Sequence, residues 1–173
     1  MGPTRAIAPR QPASRLRSFL ILRDGEDRIG SFVRLPKANI FKAPERTIII
    51  VNGNASACSS GIINCAGIAI VDVQRPIFGI IHTGFPDDIA GTMQFALKTM
   101  RCRPGDLVIG ITGLKGYPPE ALQNSLAVAG SFGPVVYAKL GVSADIAVDY
   151  QERKIFSANK RFPGWIETPA ARF

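Results

Sequence analysis

A chain of 173 residues, 46% hydrophobic and 20% charged, is long enough for one domain with its own core, and no apolar run approaches the roughly 18–20 residues of a membrane span. Three cysteines without framework spacing argue against a disulfide scaffold and for a reducing compartment, the cytoplasm. The net charge of +8 does not describe a nucleic-acid groove: residues 1–46 hold ten basic and four acidic residues, so +6 of it sits there, without interleaved aromatics.

Residues 1–14, with Pro3, Pro9 and Pro12, read as a disordered basic tail, and 15–173 as a single α+β domain. The apolar stretch 16–22 predicts a strand, Asp24-Gly25-Glu26-Asp27 a turn, and 29–35 a second strand closing a hairpin. A polar loop is expected over 36–45, then a β-branched strand at 47–51. Asn52-Gly53-Asn54 reads as a turn, and the small residues 55–60 as a loop. The runs 63–72 and 77–84 are short and almost continuously apolar, as in strands buried on both faces. The polar stretch Asp72-Val73-Gln74-Arg75-Pro76 joins them as a hairpin.

Downstream, Asp87 or Asp88 can cap a helix whose Ile89, Met93, Ala96, Leu97 and Met100 recur at helical spacing; Pro104-Gly105 stops it. A strand follows at 107–112, then a glycine-rich turn over 113–116 in which Lys115 reads as solvated. Pro118-Pro119-Glu120 opens a short helix to about Val128, 135–137 and 146–148 read as short strands, and 155–157 and 160–162 lead into an irregular, proline-bearing end. The expected fold is therefore α+β: a mixed, largely antiparallel β-sheet core with flanking helices.

The central hairpin carries the chemistry. A register in which opposed residues sum to 147 places Cys65 directly opposite His82, the only histidine of the chain. Opposed residues share a face, so a thiol would lie beside an imidazole, the minimum apparatus for a cysteine nucleophile and also two ligands of a zinc site. The imidazole favours the thiolate and burial opposes it, so a working nucleophile requires the ion pair to win. The structural alternative is a buried cysteine and a histidine that only serves the core.

Asn64-Cys65-Ala66-Gly67-Ile68-Ala69-Ile70-Val71-Asp72, then His82-Thr83-Gly84-Phe85, then Pro104-Gly105-Asp106-Leu107-Val108-Ile109-Gly110-Ile111 resemble the bacterial laccase-domain proteins. These are described as polyphenol oxidases and as purine nucleoside phosphorylases with adenosine deaminase activity. The family pattern is Asp-Cys, an apolar strand, and His-Ala-Gly-Trp-Arg-Gly; Cys65 and His82 keep the family's spacing of 17. Chemoreceptor glutamine deamidases share this spacing and look related in fold, and the catalytic domains of cytotoxic necrotizing factors resemble them in using a similar Cys-His arrangement. In that branch a threonine precedes the cysteine by six residues, and Ser59 holds the place here, where a hydroxyl would orient the histidine or contact the substrate amide. The resemblance implies the laccase-domain-like cysteine hydrolase fold. The family's first zinc-binding histidine and the arginine of its second motif have no counterpart, and Asn64 replaces its aspartate.

The expected activity is a cysteine hydrolase or transferase acting on a C–N bond, with Cys65, His82 and Ser59 as catalytic residues and Ser60, Asn64, Thr83 and Phe85 against a small-molecule or amide substrate. Backbone N–H groups around Ser59-Ser60-Gly61 or at Cys65 would hold the oxyanion. No metal ligand set, cofactor, nucleic acid or membrane partner is expected. Two alternatives stand beside it: a divergent laccase-domain purine nucleoside phosphorylase or deaminase, to which zinc would belong, and a non-catalytic binding remnant of the fold.

Overall fold

The computed structural model describes residues 19–23, 40–43, 47–52, 56–59, 61–84, 86–159, 166–167 and 171–172. In chain order the elements are β1 (Phe19–Arg23), β2 (Ile40–Ala43), β3 (Thr47–Asn52), β4 (Ser56–Ser59), β5 (Ala66–Asp72), β6 (Ile77–Thr83), α1 (Ile89–Met100), β7 (Leu107–Gly113), α2 (Pro119–Gly130) and β8 (Val135–Leu140). The short strands β9 (Ile146–Asp149), β10 (Lys154–Phe156), β11 (Ala158–Asn159), β12 (Ile166–Glu167) and β13 (Ala171–Arg172) follow. The expected tail at 1–14 and strand at 29–35 lie outside the described residues.

The strands build a six-stranded sheet, β1-β3-β6-β5-β7-β8, and a five-stranded sheet, β13-β10-β9-β4-β2; β11 and β12 pair separately. Neighbours run antiparallel except β7 with β8 and β2 with β4. The parallel β7–β8 pair is the one joined through a helix, α2, as a parallel crossover requires. The fold is thus α+β, with an antiparallel-dominated core and flanking helices, but among the described residues that core is built from two packed sheets, with β11–β12 apart, where one sheet was expected.

Alternation along the strands explains the layering. Every residue of β5 is buried, because both its faces are covered. Ala66, Ile68 and Ile70 join Ile81, Ile109 and Ile111 beneath Ile89, Met93, Ala96 and Met100 of α1. Ala69 and Val71 join Phe78, Ile80, Ile49 and Val51 against Ala57, Ile146, Val148 and Ile155 of the second sheet. The order is therefore helices, six-stranded sheet, five-stranded sheet. No helix among the described residues is long and apolar enough to cross a membrane.

Two segments expected to be loops are strands. Residues 40–43 form β2, and 56–59 form β4 inside the second sheet, where Ala57 and Ser59 are fully buried. Small residues have weak strand propensity, but β4 lies between β9 and β2 and faces the other sheet, and that context outweighs propensity. The helix cap also differs: Asp88 holds the N-cap position of α1 without a side-chain hydrogen bond, and its carbonyl accepts the Thr92 hydroxyl at 2.6 Å.

Candidate functional site

The β5–β6 hairpin is antiparallel, as expected, but its register differs. Gly67 faces His82 and Ala66 faces Thr83, so opposed residues sum to 149. The extra two residues enter the turn, where the Asp72 carboxylate accepts the amides of Gln74 and Arg75, each at 2.9 Å, and Arg75 Nε at 2.8 Å. That bonding closes a four-residue connection over 73–76. A shift of two preserves the face. Cys65, immediately before β5, therefore points to the same side as His82 but lies diagonal to it, at a Cα separation on the order of 7–8 Å rather than directly opposite.

That shared side is the layer between the sheets. Cys65 packs in the inter-sheet core with Ile62 and is 7% exposed. His82 is 3% exposed, and its Nδ1 is 2.9 Å from the Ser59 hydroxyl of β4, a buried bond from one sheet to the other. Ser59 is thus brought onto the imidazole. Asn64 is exposed beside the thiol, which donates to its Oδ1 over 3.7 Å. Thr83, one residue beyond His82, alternates to the helical side of the sheet, away from Cys65. Ser60 and Phe85 lie outside the described residues.

Sterics explain the diagonal placement. Opposite His82 there is a glycine, and a Cβ at Gly67 would meet Ile62 Cδ1, Thr112 Oγ1 at 2.9 Å and Ile146 Cγ2 at 3.0 Å. Ile62 fills the space a side chain at 67 would take, as the chain crosses from Ser59 in the second sheet to Cys65 in the first. Backbone bonds fasten this crossing: Ala144 N–H to the Ile62 carbonyl (3.2 Å), Lys115 N–H to Ile63 (2.8 Å) and Leu114 N–H to Cys65 (2.9 Å). Leu114 makes its bond from a left-handed conformation, φ 58°, that a leucine adopts only under strain.

The sequence reading missed Asp145. Its carboxylate, 9% exposed, accepts the Gly61 N–H at 2.8 Å. Gly61 sits at φ 80°, in the region that favours glycine. The bond removes Gly61 from the expected oxyanion donors, since its N–H is already used. The signal available in the chain was slight: one acid ahead of the apolar run at 146–148. Among the described residues, no group of three or more His, Cys, Asp or Glu side chains is placed to hold a metal ion.

The far end of the hairpin is built differently. Arg75 forms an ion pair with Asp72 at 2.6 Å and reaches the Cys102 sulfur at 3.5 Å. Burial raises the Asp72 carboxyl, but the bonds from Arg75 and the turn amides outweigh it and hold it below the usual carboxylate range. Burial, reinforced by the Asp72 charge, pushes the Cys102 thiol up to about 12. A thiol so shifted carries little thiolate near neutral pH.

No family model matches the chain, and no curated protein is significantly similar to it.

Proposed function

We propose that the protein is a cysteine hydrolase or transferase acting on C–N bonds, with Cys65 as nucleophile, His82 as base and acid, and Ser59 as the group that orients His82. The observation that carries this reading is the buried Ser59–His82 hydrogen bond. Ser59 fixes the ring through Nδ1, so proton exchange with the thiol and the substrate falls to Nε2. A nucleophile beside a base that is itself oriented by a third group is the arrangement such chemistry needs. The laccase-domain and deamidase resemblance belongs to the same reading.

In the reaction, the Cys65 sulfur forms a bond to the carbonyl carbon as His82 takes the thiol proton. The C–N bond breaks as the imidazolium passes that proton to the leaving nitrogen. Water, deprotonated by His82, then attacks the thioester; the C–O bond forms, the C–S bond breaks as the imidazolium returns that proton to the Cys65 sulfur, and the carboxylic acid leaves. With Gly61 engaged by Asp145, the oxyanion falls to the other amides expected for it, that of Cys65 among them. Substrate approaches past the exposed residues Gly61, Ile63 and Asn64.

The test uses p-nitrophenyl acetate as an acyl donor. A burst of about one nitrophenolate per chain, with acetyl on Cys65 by mass spectrometry and its loss in Cys65→Ser and His82→Ala, is expected. Acetylation spread over surface lysines, with Cys65 untouched, would sink the reading. If the protein binds one zinc per chain and loses it in His82→Ala, the nucleoside alternative takes its place.

A further inference from the structure

The crossing from Ser59 to Cys65 carries the nucleophile at one end and the orienting hydroxyl at the other. Its six-residue span is held at Ile62, Ile63 and Cys65 by backbone donors. Ser143 Oγ also donates to the Ile62 carbonyl, at 3.1 Å, but shares that acceptor with Ala144. The Gly61 anchor is different, because there the acceptor is a side-chain carboxylate. Asp145 directly precedes Ile146, and Ile146 pairs with Ser59. The carboxylate thus reaches from the strand beside Ser59 to the residue two beyond it, in a corner where burying an acid is costly without hydrogen bonds.

We propose that Asp145 is a positioning residue for the Cys65–His82 centre: by accepting the Gly61 N–H it fixes the chain two residues past Ser59, which keeps Ser59 against His82 and delivers Cys65 to the start of β5. The proposal rests on the cysteine hydrolase reading above. Asp145 acts through its oxygen as an acceptor, so an amide oxygen serves in its place.

The experiment follows iodoacetamide alkylation of each cysteine against pH by mass spectrometry, in the full chain. Compared variants are Asp145→Asn, which keeps an acceptor oxygen, and Asp145→Ala and Asp145→Val, which do not; Val is close to Asp in volume. At pH 7 an ordinary thiol is only about 3% ionised, so ionisation alone can accelerate Cys65 by at most about thirtyfold. Asp145→Asn is expected to stay within about twofold of wild type, while Ala and Val slow Cys65 about tenfold at pH 7 and recover the wild-type rate above about pH 9.5. Buried Cys58 reports on unfolding: it should stay slow throughout, whereas mere loss of fold would expose it. The one histidine gives a second readout, since its imidazole ¹⁵N shifts should move in Ala and Val but not in Asn.

A wild-type Cys65 that reacts no faster than in His82→Ala overturns the hydrolase reading and this proposal with it. A fast wild type with Ala and Val unchanged overturns the proposal alone. Slowing in Asn as well would make charge, not the acceptor, the agent and would also overturn it. If Ala and Val fail to fold while Asn folds, Asp145 serves the fold rather than the centre, and the proposal falls.

Discussion

Replacing Ser59 by alanine removes a hydrogen bond between the sheets while keeping the small volume of the side chain. The His82 ring then loses its oriented partner at Nδ1 in a buried layer. We expect Ser59→Ala to cost about 1–3 kcal/mol in urea unfolding and to slow Cys65 alkylation several-fold at pH 7. A stability change without a change in alkylation would make Ser59 a purely structural residue. Asp72 gives a pH prediction of definite sign. Its folded carboxyl lies below the unfolded value of 3.8, so the native state prefers the charged form. The resulting stability is fully present above that value and is lost as pH falls through the folded one. Asp72→Asn should therefore be less stable than wild type by about 1–2 kcal/mol at pH 7, and the gap should narrow below about pH 4. Urea midpoints at pH 7 and pH 3 check this; a constant gap would contradict it. Cys102, with its thiol up at about 12, should resist alkylation at pH 8, and labelling at the rate of free cysteine would show that burial does not protect it.

Gly67 is where the hairpin and the crossing meet. A methyl group there would strike Ile62 and crowd Thr112 and Ile146. Gly67→Ala should cost about 1–3 kcal/mol, and at about 2–4 °C per kcal/mol for a chain of this size the melting temperature should fall by several degrees. Because the same methyl displaces Ile62, Cys65 alkylation should change as well; a neutral Gly67→Ala would mean that the crossing has slack. The elements with a strong period were legible: β3, β5, β6 and β7 from their apolar runs, and α1 from Ile89, Met93, Ala96, Leu97 and Met100, all buried except Leu97, which is partly so. The strand β4 was not legible, because Ser56-Ala57-Cys58-Ser59 has no apolar pattern and becomes a strand only through its neighbours. The hairpin register was missed by two because a carboxylate organises the turn, and residue spacing does not show how Asp72 bonds.

The molecule places its candidate centre where two sheets converge, and that convergence is what the linear chain conceals. Cys65 and His82 could be put on one face from parity alone, since a shift of two leaves the face unchanged. Ser59 was reached through a spacing of six to the cysteine, yet its contact with His82 depends on a second sheet that the sequence reading did not contain. Asp145 arrives from 84 residues beyond Gly61, and no local pattern connects them. Pairings of such long range are set by the packing of the two sheets on each other, which no short window of sequence records.

The rate of iodoacetamide alkylation at Cys65 between pH 5 and pH 10, in wild type and in His82→Ala, tests the proposed centre as a whole. Comparing the same cysteine in two proteins cancels its burial, so the difference reports the imidazole. Wild-type Cys65 is predicted to react about tenfold faster than in His82→Ala at pH 7, with the two rates converging above about pH 9, where the thiol ionises without help. Superimposable profiles across the range would contradict the account and leave Cys65 and His82 as core residues of a binding module.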